Sequence, residues 1–285
     1  MQSSKERRYA WLVIVILLFV NISNQWQRFV ISTSYYYKPD GREPVEKYSM
    51  REAIPNFTDA KYGLVAGPVF TLCYAVLILF TGSLADLYSR KTLLAVGSIC
   101  WSLTSIGTSF AHSFTMVCTY RMLLGVFEAF SGPIAYSLIV DYFPPEKRTI
   151  ANSMYSLGIY VGVGLSSLTV LLIGAIGWRK DYFLIGCFGI IVGLCVVFFV
   201  KDPKRARFDV KKPEVVKEIT EVQLEEKAMP DKKPSLLSRY LQGILALLRN
   251  RCTMWILFGG MCRFWQGFTI SYYAINYFNT FHKEE

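Results

Sequence analysis

GSLADLYSRK, residues Gly82–Lys91, stands between two long apolar runs, Tyr62–Ala85 and Leu93–Ala111. The order of its residues carries physical requirements. Gly82 lets two helices approach closely. Asp86 puts a carboxylate at the end of a helix, four residues before the basic pair Arg90-Lys91 in a tight turn. A bilayer core is crossed by about 20 mostly apolar residues, so a charged turn between two such stretches reads as a short surface loop joining two spanning helices.

Five further stretches have the length and character of spans: Tyr9–Ile31, Phe114–Val140, Ile150–Trp178, Tyr182–Val200 and Thr253–Tyr277. The sequence therefore predicts an all-α membrane protein with seven spans. Composition agrees, with 53% hydrophobic and only 18% charged residues. The net charge of +10 does not point to nucleic acid, because the basic residues lie almost entirely between the apolar runs, where they flank a membrane. The first run follows the cluster Lys5-Glu6-Arg7-Arg8 as a signal peptide would. It lacks a convincing small-residue cleavage site, however, and reads as a retained helix.

The seven cysteines form no CxxC pair, and His112 and His282 are too few for a metal cluster, so neither metal, disulfide framework nor cofactor is expected. No nucleophile elbow or phosphate loop is present, which argues against an enzyme. With a cytoplasmic N-terminus, 20 of the 31 lysines and arginines fall on the inner side and 8 on the outer, which sets the expected orientation. The loop Ser32–Lys61 carries the sequon Asn56-Phe57-Thr58, read as an unmodified asparagine at a helix entrance. The loop Lys201–Arg251 begins as a Lys/Glu-rich linker and ends in a periodic stretch behind Ser235, expected as a surface helix near 235–248. The expected organisation is a bundle over 1–200, a cytoplasmic linker over 201–251 and a seventh helix over 252–285.

Arg121, Gly125 and Glu128 share one face of the fourth span. Charges at membrane depth are costly and usually paired or functional, and Arg28 and Arg263 add two more cations. The pattern R-x-x-x-G-x-x-E-A-x-x-x-P over Arg121–Pro133 is followed by Asp141-Tyr142-Phe143-Pro144-Pro145-Glu146-Lys147-Arg148 and the glycine-rich fifth span with Gly158 and Gly162. Together with Gly82–Lys91, these residues resemble the major facilitator superfamily, most closely its Spinster-like branch. Leu87 and Ser89 depart from the loop signature, replacing a basic residue and a glycine.

The resemblance implies a major facilitator fold, here its N-terminal six-helix bundle plus a seventh helix from the second half. It implies a secondary transporter working by alternating access in the lipid bilayer on a small or amphipathic organic anion. Arg28, Arg121, Gln27, Arg263 and Glu128 are the substrate and coupling candidates, with Glu128 expected to pair with Arg121 in one state of the cycle. Asp86, Arg90, Lys91, Asp141 and Arg148 are the gating candidates, Arg90 pairing with Asp141. Gly82, Gly125, Gly158 and Gly162 are the packing glycines. Gln27 stands where such relatives carry an acid before the first-helix arginine, which leaves Glu128 as the one acid expected deep within a span and the candidate for proton coupling.

QRFVIS at Gln27–Ser32 echoes QGFTIS at Gln266–Ser271, with tyrosine pairs Tyr35-Tyr36 and Tyr272-Tyr273 after each. The echo fits equivalent first and seventh helices of a two-half repeat. Twelve helices are implied by the resemblance, so the sequence leaves three readings: part of a longer transporter, a short form completed by a membrane subunit, or a non-transporting structural subunit of a larger assembly.

Overall fold

The computed structural model describes residues 3–39, 41, 43–203, 208 and 249–281, apart from the side chains at 83, 86, 87, 274, 275 and 278–281. The expected linker and surface helix near 235–248 lie outside the described residues. The described chain is helical: α1 (Ser4–Tyr36), α2 (Val45–Tyr48), α3 (Met50–Ala53), α4 (Asp59–Ala66), α5 (Pro68–Leu87), α6 (Arg90–Ser109), α7 (Phe114–Glu128), α8 (Ser131–Tyr142), α9 (Pro145–Ile176), α10 (Trp178–Phe199) and α11 (Arg251–Phe281).

Six helices or helix pairs are long and apolar enough to cross a membrane: Ser4–Tyr36, Asp59–Gly82, Arg90–Ser109, Phe114–Tyr142, Pro145–Ile176 and Trp178–Phe199. The expected seventh span is a continuous helix, α11, but is not among them. Arg263 and Gln266 interrupt its apolar run. Two expected spans are each broken in two. The second breaks at Gly67, where Pro68 opens α5 without needing a backbone donor. The fourth breaks at Ala129–Phe130, between α7 and α8.

Helix ends follow local chemistry. Ser3 starts α1, with the Glu6 carboxylate accepting from its N–H at 3.1 Å. Pro39 lies just beyond the end of α1 and disfavours helix at the residue before it. Gly177, at φ 87°, ends α9, and a Cβ there would sit 2.5 Å from the Lys47 carbonyl oxygen, so only glycine allows the immediate start of α10. Ser89 is extended, at φ −64°, and its hydroxyl accepts from Thr92 N–H at 3.5 Å. A helix cap therefore takes the place of the left-handed turn for which a glycine would be needed.

Contact clustering separates Met1–Phe208 with Ser271–Glu285 from Asp209–Ile270. In the first unit, α1 packs on α9 and α6 on α10, and both seams use glycine. A Cβ on Gly162 would lie 2.6 Å from Gln25 Cβ and 2.8 Å from the Ile22 carbonyl oxygen, and one on Gly158 would lie 2.9 Å from Asn21 Cβ. Along α10, Gly186, Gly189 and Gly193 face Ser102, Ile106, Ser98 and Ile99 of α6. The core between the helices includes Ile14, Leu17, Trp101, Ile134, Leu138 and Val196. In the second unit, Trp255 and Phe258 of α11 meet edge to face at 6.2 Å.

Candidate functional site

α1 and α7 place the central charges. Arg28, seven-eighths of the way through the apolar stretch of α1, directs Nε and Nη2 to one oxygen of Glu128, Oε2, at 2.9 and 2.8 Å. Glu128 is fully buried, and its other oxygen, Oε1, has no hydrogen-bond partner. The Arg28 guanidinium lies 4.9 Å from the ring centres of both Phe70 and Tyr74 on α5, an arrangement that favours a cation. Asn24, one turn earlier, accepts from Arg28 Nη2 at 3.4 Å.

The expected Arg121–Glu128 pair is not formed. Arg121 instead donates from Nη1 and Nη2, each at 3.0 Å, to the main-chain carbonyl of Arg28. Tyr272 donates to the same oxygen at 3.4 Å. Arg121 is 4% exposed and takes part in none of the ion pairs among the described residues. Of these two buried guanidinium groups only Arg28 is paired with the Glu128 carboxylate, and the uncompensated charge sits on Arg121. Gly125, between Arg121 and Glu128, lets α5 approach α7, since a Cβ there would lie 2.6 Å from the Phe70 carbonyl oxygen.

Gln27 stands apart from this cluster. Its amide donates to Ser23 Oγ at 2.9 Å and Ser102 Oγ at 3.4 Å, and its oxygen accepts from Ser105 Oγ at 2.6 Å. The bonds to Ser102 and Ser105 join α1 to α6, and the bond to Ser23 stays within α1. Arg263 lies on the exposed surface of α11. The repeated tyrosines converge on Tyr62: its ring stacks on Tyr35 at 4.4 Å and meets Tyr36 and Tyr273 edge on at 4.9 and 6.1 Å, while its hydroxyl donates to the Tyr272 carbonyl at 3.0 Å.

At the face carrying the N-terminus, Arg90 and Asp141 form the expected ion pair. Arg90 also holds Asp202, at 3.2 Å between Nη2 and Oδ1, and Ser137 Oγ, at 2.9 Å. Asp202 was not anticipated; it belongs to the start of the expected linker. Arg148 donates to the carbonyls of Val140 and Phe143 at 3.0 and 3.2 Å, closing the end of α8. Lys91 is half-buried, and Asp86 falls among the side chains outside the description. Gly82 is exposed, and a Cβ there would meet nothing within 4 Å, so the close packing expected of it is absent.

Asp181 is a third buried acid beside Glu128 and Asp141, and the spans expected from the sequence left it in a loop. Because α10 begins at Trp178, Asp181 falls in its first turn and is fully buried. The signal was available: a glycine C-cap followed at once by Trp-Arg-Lys-Asp can start a new helix without a loop.

Six apolar spans enclosing guanidinium and carboxylate groups define a multi-pass membrane protein with charge inside its bilayer-crossing bundle. Residues 9–284 match the Major Facilitator Superfamily. The chain belongs to that superfamily, a family of transporters rather than enzymes. Protein spinster homolog 3 of Danio rerio is 28% identical over 212 residues, covering 73% of this chain and 40% of that protein. The chain thus spans well under half of that relative's length. Among solved structures, a bacterial homolog to the human lysosomal transporter Spinster, inward-facing and occupied, is 25% identical with a TM-score of 0.59, over 71% of this chain and 47% of that one. Its inward-facing and unoccupied form gives a TM-score of 0.69 at 21% identity, over 99% of this chain and 57% of the other. These likenesses set the chain beside the Spinster-like branch.

Proposed function

We propose that the protein is a secondary transporter of a small or amphipathic organic anion, working by alternating access with its N-terminus in the cytoplasm. The observation that carries this reading is Arg121: a buried guanidinium inside a span, hydrogen-bonded to a neutral carbonyl and in no ion pair among the described residues. A cation held in a medium that opposes it is a standing attraction for a carboxylate or phosphate, to which guanidinium can offer paired hydrogen bonds. Arg28, already neutralised by Glu128, sets the local field and carries the carbonyl that orients Arg121. Glu128 is a candidate for a coupling proton because one of its oxygens has no partner. Likeness to Spinster proteins favours a lysolipid-like phosphate over a simple organic acid.

The test is uptake by the native protein in proteoliposomes, offered labelled lysophosphatidate and labelled succinate in parallel. Uptake of one of them, abolished by Arg121→Ala with the folded yield unchanged, is the expected result. Undiminished uptake by Arg121→Ala would reduce Arg121 to a packing role, and transport of neither anion would remove this substrate class.

A further inference from the structure

We infer that Asp181 is a proton-binding site of the helical bundle, distinct from the Arg28–Glu128 pair and filled in the packed arrangement seen here. Asp181 has no exposed surface. Neither of its carboxylate oxygens has a hydrogen-bond partner, and it takes part in none of the ion pairs among the described residues. An ionised carboxylate deprived of water, donor and counter-charge is among the costliest groups an interior can hold, and a bound proton removes that cost. The positive end of α10 offsets only part of the penalty. The Asp181 N–H is itself committed to the Gly177 carbonyl at 3.1 Å.

The charged and titratable groups of the surrounding elements are committed or remote. On α10, Arg179 donates to the Ser109 carbonyl at 2.8 Å and meets His112 Nδ1 at 3.4 Å, Lys180 is exposed, and the Tyr182 hydroxyl is buried without a hydrogen-bond partner, Asp181 included. On α1, Arg28 is bound to Glu128, and the Tyr35 hydroxyl donates to Phe57 and Asp59. On α2, Glu46 is exposed, and the Lys47 ammonium sits over the Tyr48 ring at 5.0 Å. The charges of α6 and α9 (Arg90, Lys91, Glu146, Lys147 and Arg148) belong to the opposite ends of those helices. On α9, Tyr155 faces Ser131, and Tyr160 is exposed. A metal ion in place of the proton would require several oxygen ligands, and no cluster of three acidic, histidine or cysteine side chains occurs among the described residues.

A neutral acid at this end of α10, beside the end of α1, adds a proton to the bundle that the central pair does not account for. Its use in transport rests on the alternating-access reading above, in which the packing around Asp181 opens and the proton leaves. Two measurements separate the site from that use. Infrared spectra of the native protein in lipid at neutral pH, with aspartate isotope-labelled, should show the carbonyl stretch of a neutral aspartate. The band should be lost in Asp181→Asn and kept in Glu128→Gln. Absence of a neutral aspartate band in the labelled wild type, or its survival in Asp181→Asn, overturns the site, and absence in the wild type does so even if the variant misfolds. In proteoliposomes with an entrapped pH dye, proton movement accompanying lysophosphatidate uptake should fall to the level of empty vesicles in Asp181→Asn while lysophosphatidate exchange continues. Unchanged proton movement would overturn the coupling role. Failure of wild-type uptake would overturn the transport reading and leave the infrared result standing.

Discussion

Replacing Arg28 and Glu128 singly and together by leucine gives a sharp test of the central cluster. In Glu128→Leu, Arg28 keeps Asn24 at 3.4 Å and the two ring faces at 4.9 Å but loses its one ion pair among the described residues. Stranding a buried charge costs about 3–5 kcal/mol, and cation–π contacts return about 1 kcal/mol, so a loss of about 3 kcal/mol is expected. In Arg28→Leu, Glu128 loses the one residue that hydrogen-bonds it, and its Oε1 is already without a partner. The expected cost there is about 4 kcal/mol. The double variant leaves neither charge stranded and replaces both groups by apolar side chains, so it should cost only about 1 kcal/mol. The coupling read from the cycle is therefore large, about 6 kcal/mol, because each single variant pays for the partner it leaves behind. Reversible unfolding in detergent micelles measures all four forms. If the two single costs simply added in the double variant, the pair would not be the closed electrostatic unit described here.

Packing predictions divide neighbouring glycines and isolate Gln27. Gly162→Ala should cost about 1–3 kcal/mol, because the new methyl meets a backbone oxygen at 2.8 Å that cannot move aside. Gly164→Ala, with nothing within 4 Å of its Cβ, should change stability by no more than about 0.5 kcal/mol, and equal effects at the two positions would refute the close approach of α1 and α9. Gln27→Leu should cost about 1–3 kcal/mol by stripping Ser23, Ser102 and Ser105 of their shared partner. Transport kinetics in proteoliposomes should be unaffected by that change; a selective loss of transport at unchanged stability would return Gln27 to the coupling machinery.

The spans were legible because uninterrupted apolar runs are a strong signal, and the turn at Gly82–Lys91 placed two of them. The breaks at Gly67 and Ala129 were less visible, since neither interrupts the apolar run that defines a span. The partner of Glu128 was misread for a geometric reason. Arg121 and Glu128 share a helical face, but seven residues of helix separate them by about 10 Å along the axis, too far for direct pairing. The actual partner lies 100 residues away in sequence, a distance closed only by tertiary packing. Asp181 was missed because its placement depends on where α10 starts: moving that start from Tyr182 to Trp178 converts a loop acid into a buried one. Gln27 looked like a substitution at a coupling position, whereas two of the three serines that engage it, Ser102 and Ser105, come from a helix distant in sequence.

The glycine seams also divide the bundle mechanically. Where α9 touches the backbone of α1 through Gly158 and Gly162, there is no side-chain layer to shear, so the two helices must travel as a single beam. Gly186, Gly189 and Gly193 bind α10 to α6 in the same stiff manner. The α4–α5 span differs in being interrupted at Gly67-Pro68, and past that break Gly125 of α7 seats against the Phe70 carbonyl. Its α5 segment supplies Phe70 and Tyr74, the two rings that flank the Arg28 guanidinium. The rings over the Arg28 cation thus belong to a segment fixed to α7 at Phe70 and separated from α4 by a break in the helix.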